Sequence, residues 1–206
     1  HRDLHSFPTR RSSDLTTPIV GSTHVFVATE KGVVRFDRSL TQASKAVLLS
    51  GAFDSAPVLD EKNLYAISRD GVLHVIAQTG SEAEFTLALS DKIGATSRWD
   101  SPPLLGAGVL MVASPEGDLV RVMLGDELAL LPRISTAGSA AGGAVTLDSD
   151  GAAYLPTTLG VFRVSGDGKR IDKFGNDPVA TTPVATAKGV VFADITGLLE
   201  HIERPL

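Results

Sequence analysis

A short segment recurs five times along the chain, and this repeat constrains the fold more than any other feature. The copies open at positions 18, 57, 103, 144 and 183, so successive openings are 39, 46, 41 and 39 residues apart. The first, second, third and fifth copies reach a closing glycine after 14 residues, and the fourth reaches it after 16. A regular period of this size is typical of solenoids and propellers, in which each repeat forms one supersecondary unit.

Every copy has the pattern of short apolar strands separated by turns. Most copies open on a proline, which suits the first residue of a strand, and all close on a glycine, which suits a hairpin turn with positive φ. These structural turn glycines are Gly32, Gly71, Gly117, Gly160 and Gly197. A third strand follows each glycine, and a looser fourth strand follows in the first four copies. Four short strands in about 40 residues predict a β-propeller blade.

We therefore predict an all-β chain that forms an arc of about five propeller blades, four of them complete and the fifth with three strands. The blades are expected at about 16–54, 55–100, 101–141, 142–180 and 181–206. Helices should be scarce, because no segment keeps a 3.6-residue apolar period. An open arc leaves one side of each end blade uncovered, and uncovered terminal repeats expose apolar surface. We expect poor solubility for this reason.

The second copy resembles the repeat of the quinoprotein (PQQ-like) β-propeller superfamily, which has the pattern S-x-P-V, then L-Y-x-x-S-x-D-G-x-L and a closing T-G. The matching segments are SAPV at 55–58, LYAISRDGVL at 64–73 and QTG at 78–80. The resemblance extends over 16–206. It implies that the chain is an N-terminally truncated piece of a propeller of seven or eight blades.

The resemblance leaves three functions open, because one fold supports many activities. The first is a non-catalytic scaffold that binds a protein or glycan partner in the periplasm or at the cell surface; the nearest analogy in the superfamily is the propeller lipoprotein that assists outer-membrane barrel assembly. The second is a PQQ-dependent dehydrogenase, which would bind the quinone and Ca²⁺ near the propeller axis. The third is a ligand-sensing ectodomain of a larger signalling protein.

Departures from the superfamily pattern favour the scaffold. Its enzymes tend to carry a docking tryptophan in most blades, and several have a vicinal cysteine pair at the quinone. This chain has one tryptophan, Trp99, outside the usual docking position, and no cysteine. The aspartate of the family's L-D-A segment is retained only as Asp37. We predict no catalytic residue, no metal and no cofactor, and the lack of cysteine excludes disulfides and thiolate ligands.

Other candidate motifs favour structural roles. The Asp148-x-Asp150-Gly segment could begin a Ca²⁺ loop, but the acidic ligands that should follow are missing, so a hairpin turn is predicted. The glycine-rich stretch 137–143 lacks the Lys-Ser/Thr of a phosphate loop and predicts a crossing between the third and fourth blades. Three histidines fall on predicted strands without the local pairing of zinc ligands: His24, His74 and His201.

One strand position is repeatedly cationic. Aligning the third strands with one-residue gaps places Val75 at this position in the second copy and a basic residue in the other four, namely Arg35, Arg121, Arg163 and His201. A repeated cation could contact an anionic glycan, lipid or partner protein. Alternatively, these side chains are solvated or salt-bridged where the outer part of each blade meets water, and such exposed pairs contribute little.

The charge balance and the lengths of the apolar runs limit the classes of partner that the chain can bind. The 19 basic and 24 acidic residues give a net charge of -5, which disfavours nucleic acid as a partner. No apolar run reaches the roughly 18 residues of a membrane span.

The first fifteen residues, HRDLHSFPTRRSSDL, match in order the translation of a common short-read sequencing adapter. A basic, serine-rich tail is the alternative. We expect residues 1–15 to be foreign and the native N-terminus, with any signal peptide, to lie upstream.

Overall fold

The computed structural model describes residues 16–41, 46–80, 85–89, 98–139, 143–179 and 181–203. These residues form five antiparallel sheets, one for each copy of the repeat, and within each sheet the strands lie in chain order. We call the sheets blades 1 to 5 and their strands A, B, C and D. Four blades have four strands, and three strands of blade 5 are described. The all-β prediction is confirmed.

Blade 1 comprises β1 (Ile19–Val20), β2 (His24–Thr29), β3 (Gly32–Asp37) and β4 (Ala46–Ser50). Blade 2 comprises β5 (Val58–Leu59), β6 (Asn63–Ile67), β7 (Val72–Ala77) and β8 (Phe85–Ala88). Blade 3 comprises β9 (Leu104–Gly106), β10 (Val109–Ala113), β11 (Leu119–Met123) and β12 (Ala129–Leu130). Blade 4 comprises β13 (Thr146–Leu147), β14 (Ala153–Thr157), β15 (Gly160–Val164) and β16 (Ile171–Phe174). Blade 5 comprises β17 (Val184–Ala185), β18 (Gly189–Ala193) and β19 (Leu199–Glu203).

The hydrophobic core lies between the blades rather than inside any one of them. Successive side chains of a strand point to opposite sides of its sheet, and both sides are apolar in the B and C strands. Blades 2, 3 and 4 therefore pack one side on the preceding blade and the other on the next, and four clusters of buried residues join blades 1–2, 2–3, 3–4 and 4–5. This stacking is what a propeller repeat requires, because no blade can bury its own surface alone.

The predicted turn glycines all lie at the turns that join strands B and C, and Gly32 and Gly160 are the first residues of their C strands. Each has a positive φ: 139° at Gly32, 83° at Gly71, 86° at Gly117, 116° at Gly160 and 85° at Gly197. Trp99 packs directly against one of these turns. Its side chain is 3% exposed, and a Cβ on Gly71 would lie only 2.4 Å from its Nε1 atom. The single tryptophan thus fills the junction between blades 2 and 3.

Candidate partner-binding face

Because neighbouring strands run antiparallel, the turns of each sheet lie at the two opposite ends of its strands. The A–B and C–D turns lie at one end, and over the whole arc these turns form what we call the A–B face. The B–C turns and the connections between blades lie at the other end and form the B–C face. The connections are tied into the B–C face by backbone hydrogen bonds: Phe53 N donates to Thr29 O of blade 1 at 3.0 Å, and Arg69 N of blade 2 donates to Ala52 O at 2.8 Å.

The B–C face is charged at blades 1 and 2. Asp54, in the connection between these blades, has a side chain only 4% exposed. It accepts paired hydrogen bonds from two guanidiniums, at 2.6 and 2.7 Å from Arg69 and at 3.0 and 2.7 Å from Arg98. The hydrogen bonds from Arg69, and then those from Arg98, hold the pKa of Asp54 below its ordinary value although burial opposes them. Glu30 extends the network, 3.2 Å from Arg69.

The same face is aliphatic at blades 4 and 5. Leu159 occupies the B–C turn of blade 4 and is 39% exposed; Ile195 and Leu198 flank the B–C turn of blade 5 and are 65% and 60% exposed. We call these three side chains the aliphatic patch. Gly138, in the connection from blade 3, lies beside the patch, since a Cβ there would lie 3.2 Å from the Cγ of Leu159.

Backbone contacts fix the two halves of the aliphatic patch beside each other. Val179 N donates to Thr157 O of blade 4 at 3.1 Å, and Ile195 N of blade 5 donates to Pro178 O at 2.9 Å, so a single extended segment separates the two turns. Asp194 shapes the second turn, because its carboxylate accepts from Thr196 N at 2.8 Å and from Leu198 N at 3.0 Å. The hydrogen bond from the Thr196 hydroxyl and these amides lower the pKa of Asp194. The turn therefore presents its aliphatic side chains from a fixed backbone.

The A–B face has a groove of about 520 Å³ between blades 1 and 2, lined by Val20, Gly21, Ser22, Leu59, Asp60, Glu61 and Gln78. The carboxylate of Asp60 is engaged within its own blade. It accepts from the amides of Lys62 and Asn63 at 2.8 and 2.6 Å and from the Tyr65 hydroxyl at 2.6 Å. Burial, and then the hydrogen bond to Asp60, raise the pKa of Tyr65 to about 12. The carboxylate of Asp60 therefore stabilises the A–B turn of blade 2.

The structure places the predicted cationic residues at one register position. Each lies opposite the equivalent residue of its B strand; the pairs are Arg35 with Phe26, Arg121 with Met111, Arg163 with Tyr154 and His201 with Val191. Val75 holds this position in blade 2, opposite Tyr65. The side chains of blades 1 to 4 thus lie on the side of their sheet that faces the next blade, rather than on either face of turns. His201 lies at the equivalent position of blade 5.

The arginines make contacts within the protein. Arg35 Nη1 donates to Gln78 O at 3.1 Å and Gly80 O at 2.9 Å, across the C–D turn of blade 2. Arg121 makes the corresponding approach to blade 4, since a Cβ on Gly168 would lie 2.7 Å from each of its Nη atoms. From the sequence, these arginines were expected either to contact an anionic partner or to be solvated or salt-bridged. Neither interpretation included a contact between blades. Contact with an anionic partner stays a prediction for these positions.

Arg163 and His201 differ from Arg35 and Arg121 in their contacts. The Arg163 side chain is 13% exposed and lies 3.7 Å from the carboxylates of both Asp148 and Asp172. Its Nε donates to the Tyr154 hydroxyl at 3.3 Å, and the guanidinium stacks over that ring at 6.0 Å. His201 lies on β19 and is exposed to solvent.

The remaining candidate motifs also have structural partners. The Asp148 carboxylate accepts hydrogen bonds from the amides of Asp150 and Ala152, both at 2.9 Å, which is the geometry of a hairpin turn.

Within the described ranges, no three His, Asp or Glu residues converge as metal ligands. His24 and His74 lie on separate blades, and His74 packs edge-on against Phe53 at 5.7 Å between ring centroids. The crossing at 137–143 is described except for 140–142, and Ser139 O accepts from Thr158 N at 3.0 Å.

Sequence reasoning missed the aliphatic patch, although the aligned repeats contain its signal. The B–C turns of the first three blades carry charged pairs or single charges: EK at 30–31, RD at 69–70 and PE at 115–116. The turns of the last two carry TL at 158–159 and ITGL at 195–198. A loss of charge at equivalent turn positions is visible without a structure.

Comparison with known proteins identifies the fold. No protein-family model matches the chain, and no curated protein matches it. The crystal structure of BamB from Moraxella catarrhalis matches 90% of this chain with a TM-score of 0.72 and 16% sequence identity. The fold is a β-propeller. This confirms the prediction from the repeat, and at this identity the match shows the fold alone. The chain spans 60% of the length of BamB, and its described residues include no helix long and apolar enough to cross a membrane.

Proposed function

We propose that the chain belongs to a non-catalytic β-propeller scaffold of the PQQ-like repeat type, which binds another protein through the aliphatic patch. The observation that supports this most directly is the exposure of Leu159, Ile195 and Leu198, at 39%, 65% and 60%, on consecutive blades of one face. Contiguous exposed apolar residues on a soluble protein mark interaction sites. The superfamily resemblance supports a location outside the cytoplasm, in the periplasm or at the cell surface.

The surroundings of the aliphatic patch suggest the chemistry of the partner. The patch side chains are aliphatic, and the two residues that precede the closing glycine of the B–C turn include a charged residue only in blades 1 to 3. On the side of the patch, the connection between blades 4 and 5 carries the exposed Asp177. An apolar segment of a protein, with its own polar flanks, fits this arrangement better than a sugar or an anionic lipid does. Interfaces of this kind place an apolar centre inside a polar rim, so the three patch residues would be the anchors of the contact.

The alternative function is that of a PQQ-dependent dehydrogenase, and the described residues contain no matching set of calcium ligands. Calcium in such a site needs six to eight oxygen ligands, and the described ranges bring no three candidate ligands together. Asp148, the carboxylate of the sequence motif that best resembles a calcium loop, is engaged with backbone amides and with Arg163. The described residues therefore give the dehydrogenase no support of their own.

Peptide binding tests the proposal. Short peptides selected on the chain from a random-sequence display library would be measured by fluorescence anisotropy against Ile195→Ser/Leu198→Ser. We expect their affinity to fall by at least about tenfold, or about 1.4 kcal/mol, because buried apolar anchors dominate such interfaces. Leu40→Ser is the matched control: Leu40 is also 60% exposed but lies in a C–D turn, on the A–B face.

Two results would count against the scaffold. Selected peptides that bind the double variant and the wild type equally well would remove the aliphatic patch from the interface. Reduction of an artificial electron acceptor by the complete protein, dependent on added PQQ and Ca²⁺, would support the dehydrogenase instead.

A further inference from the structure

The groove on the A–B face has features of a binding site that the aliphatic patch does not use. Its volume is about 520 Å³, and it lies between the A–B turns of blades 1 and 2. Val20 and Leu59, at the ends of the two A strands, contribute aliphatic residues to its lining. Ligand sites are typically concave and mostly apolar, with volumes of roughly 300–1,000 Å³ and a few convergent polar groups.

Gln78 supplies a buried hydrogen-bond acceptor to this groove. The residue is 8% exposed, and its amide orientation is fixed because Nε2 donates to Asp60 O at 2.6 Å. The other polar atom of the amide, Oε1, accepts no hydrogen bond from any residue that the structure describes. Gly21 leaves room beside this atom, since a Cβ there would lie 2.8 Å from Oε1. A buried acceptor is costly until a donor meets it, so the groove favours a ligand that carries an N–H group.

The charge of the groove is negative. Its described lining includes two acidic residues, Asp60 and Glu61, and no basic one. In the part of the chain that the structure describes, neither carboxylate forms an ion pair. Burial opposes the charge of Asp60, but hydrogen bonds from the Tyr65 hydroxyl and from two turn amides outweigh it and lower the pKa of Asp60. This carboxylate is therefore ionised at neutral pH, and the groove favours a cation.

We propose that the groove is a second docking site, which binds a short segment of a partner polypeptide that carries basic and aliphatic side chains. Such a segment matches each feature of the groove. Its aliphatic side chain would contact Val20 and Leu59, and a backbone N–H would donate to Gln78 Oε1. Its lysine or arginine would face Asp60 and Glu61, because opposite charges across an interface give specificity and fast association. The groove lies on the face opposite the aliphatic patch, and the proposal does not depend on what binds there.

Methyl NMR tests the proposal, because the methyl groups of Val20 and Leu59 report on the groove itself. The chain would be isotope-labelled at its valine, leucine and isoleucine methyl groups and titrated with the peptide acetyl-Leu-Lys-Leu-Lys-amide. We expect saturable shifts of the Val20 and Leu59 signals. The matched peptide acetyl-Leu-Glu-Leu-Glu-amide has the same aliphatic residues and the opposite charge, and it should leave these signals in place.

A pair of charge reversals locates the contact. Glu61→Lys should raise the dissociation constant of the lysine peptide at least about fivefold, because it replaces an attractive charge by a repulsive one. Glu127→Lys is the matched control: Glu127 is also an exposed glutamate in a turn of the A–B face, but it lies in the C–D turn of blade 3, outside the groove. It should change the dissociation constant by less than about twofold, since solvent and salt screen a distant charge.

Four results would overturn the proposal. Val20 and Leu59 signals that neither peptide moves would show that the groove is not a docking site. Equal shifts with the two peptides, or equal weakening by Glu61→Lys and Glu127→Lys, would show that the groove does not select a cation. Shifts confined to the methyl groups of Leu159, Ile195 and Leu198 would place the lysine peptide on the aliphatic patch instead.

Discussion

Gly117 and Gly197 form a matched pair for measuring what a connection between blades contributes to stability. They occupy the same position in the B–C turns of blades 3 and 5, with φ of 86° and 85°. A Cβ on Gly117 would lie 1.7 Å from the carbonyl oxygen of Gly138, in the connection to blade 4, whereas a Cβ on Gly197 would meet nothing within 4 Å. Alanine at the two sites therefore separates backbone strain from the displacement of a neighbouring segment.

We expect Gly197→Ala to lower the free energy of unfolding by about 1 kcal/mol, because alanine tolerates the left-handed conformation poorly. Gly117→Ala has the same backbone cost and must also move the connection by more than an ångström. That segment is held by the hydrogen bond from Thr136 Oγ1 to Gly117 O at 2.7 Å and by the one from Thr158 N to Ser139 O at 3.0 Å. Losing both adds about 2 kcal/mol, so we expect a total near 3 kcal/mol.

Equilibrium unfolding in urea would measure both variants, followed by far-UV circular dichroism and by the fluorescence of Trp99, the only tryptophan. The two signals report on the whole arc and on the junction of blades 2 and 3. Equal destabilisation by Gly117→Ala and Gly197→Ala would refute the reasoning, because it would mean that the connection does not restrict the turn. Gly71→Ala, which would press on the Trp99 ring, should resemble Gly117→Ala.

Three further variants test individual contacts. Asp54→Asn should lower the free energy of unfolding by about 2–3 kcal/mol at pH 7. Because hydrogen bonds from Arg69 lower the pKa of Asp54 from 3.8, this difference should shrink progressively as the pH falls below 3.8, and a difference that does not shrink would contradict the ion pairing. Burial lowers the pKa of His74 from 6.5, so wild type should lose stability as the pH falls below about 6.5 and the unfolded state takes up the proton; thermal melts of His74→Val should be flatter over that range, and an equally steep profile would count against it. Leu40 has φ of 55°, so Leu40→Gly should raise the free energy of unfolding in urea by about 0.5–1 kcal/mol, whereas a loss would show that the leucine side chain stabilises the turn.

The fold was predictable because each blade is built from local signals. An opening proline, alternating apolar residues and a closing glycine specify two hairpins, and the side-chain period of two then fixes which residues face the neighbouring blades. The same alignment placed Arg35, Arg121, Arg163 and His201 in register, which the strand pairing reproduces. Local pattern and global fold agree at these positions, as expected of a minimally frustrated sequence.

The contacts of those side chains were not predictable, because they depend on which residues the surrounding strands and blades place within reach. The alignment shows that Arg35 and Arg163 occupy equivalent positions. Arg35 nevertheless donates hydrogen bonds to carbonyls of the next blade, whereas Arg163 faces two carboxylates of its own blade. What decides between these outcomes is the residue that the neighbouring element places within reach, such as Asp172 on β16. A repeat alignment aligns positions within a blade and carries no information about that neighbour.

This difference indicates where variation between repeats reports on function. A strand residue is bounded by the sheets on both sides, so a substitution there must first satisfy packing, as Val75 does in place of an arginine. A turn residue on the B–C face is bounded by one connection at most, and packing leaves its outward side chain unconstrained. The charged turns at Glu30 and Arg69 are explained by their ion pairs with each other and with Asp54. The exposure of the aliphatic Ile195 in the equivalent turn of blade 5 is not explained by burial within the arc. An apolar partner on blades 4 and 5 supplies an explanation.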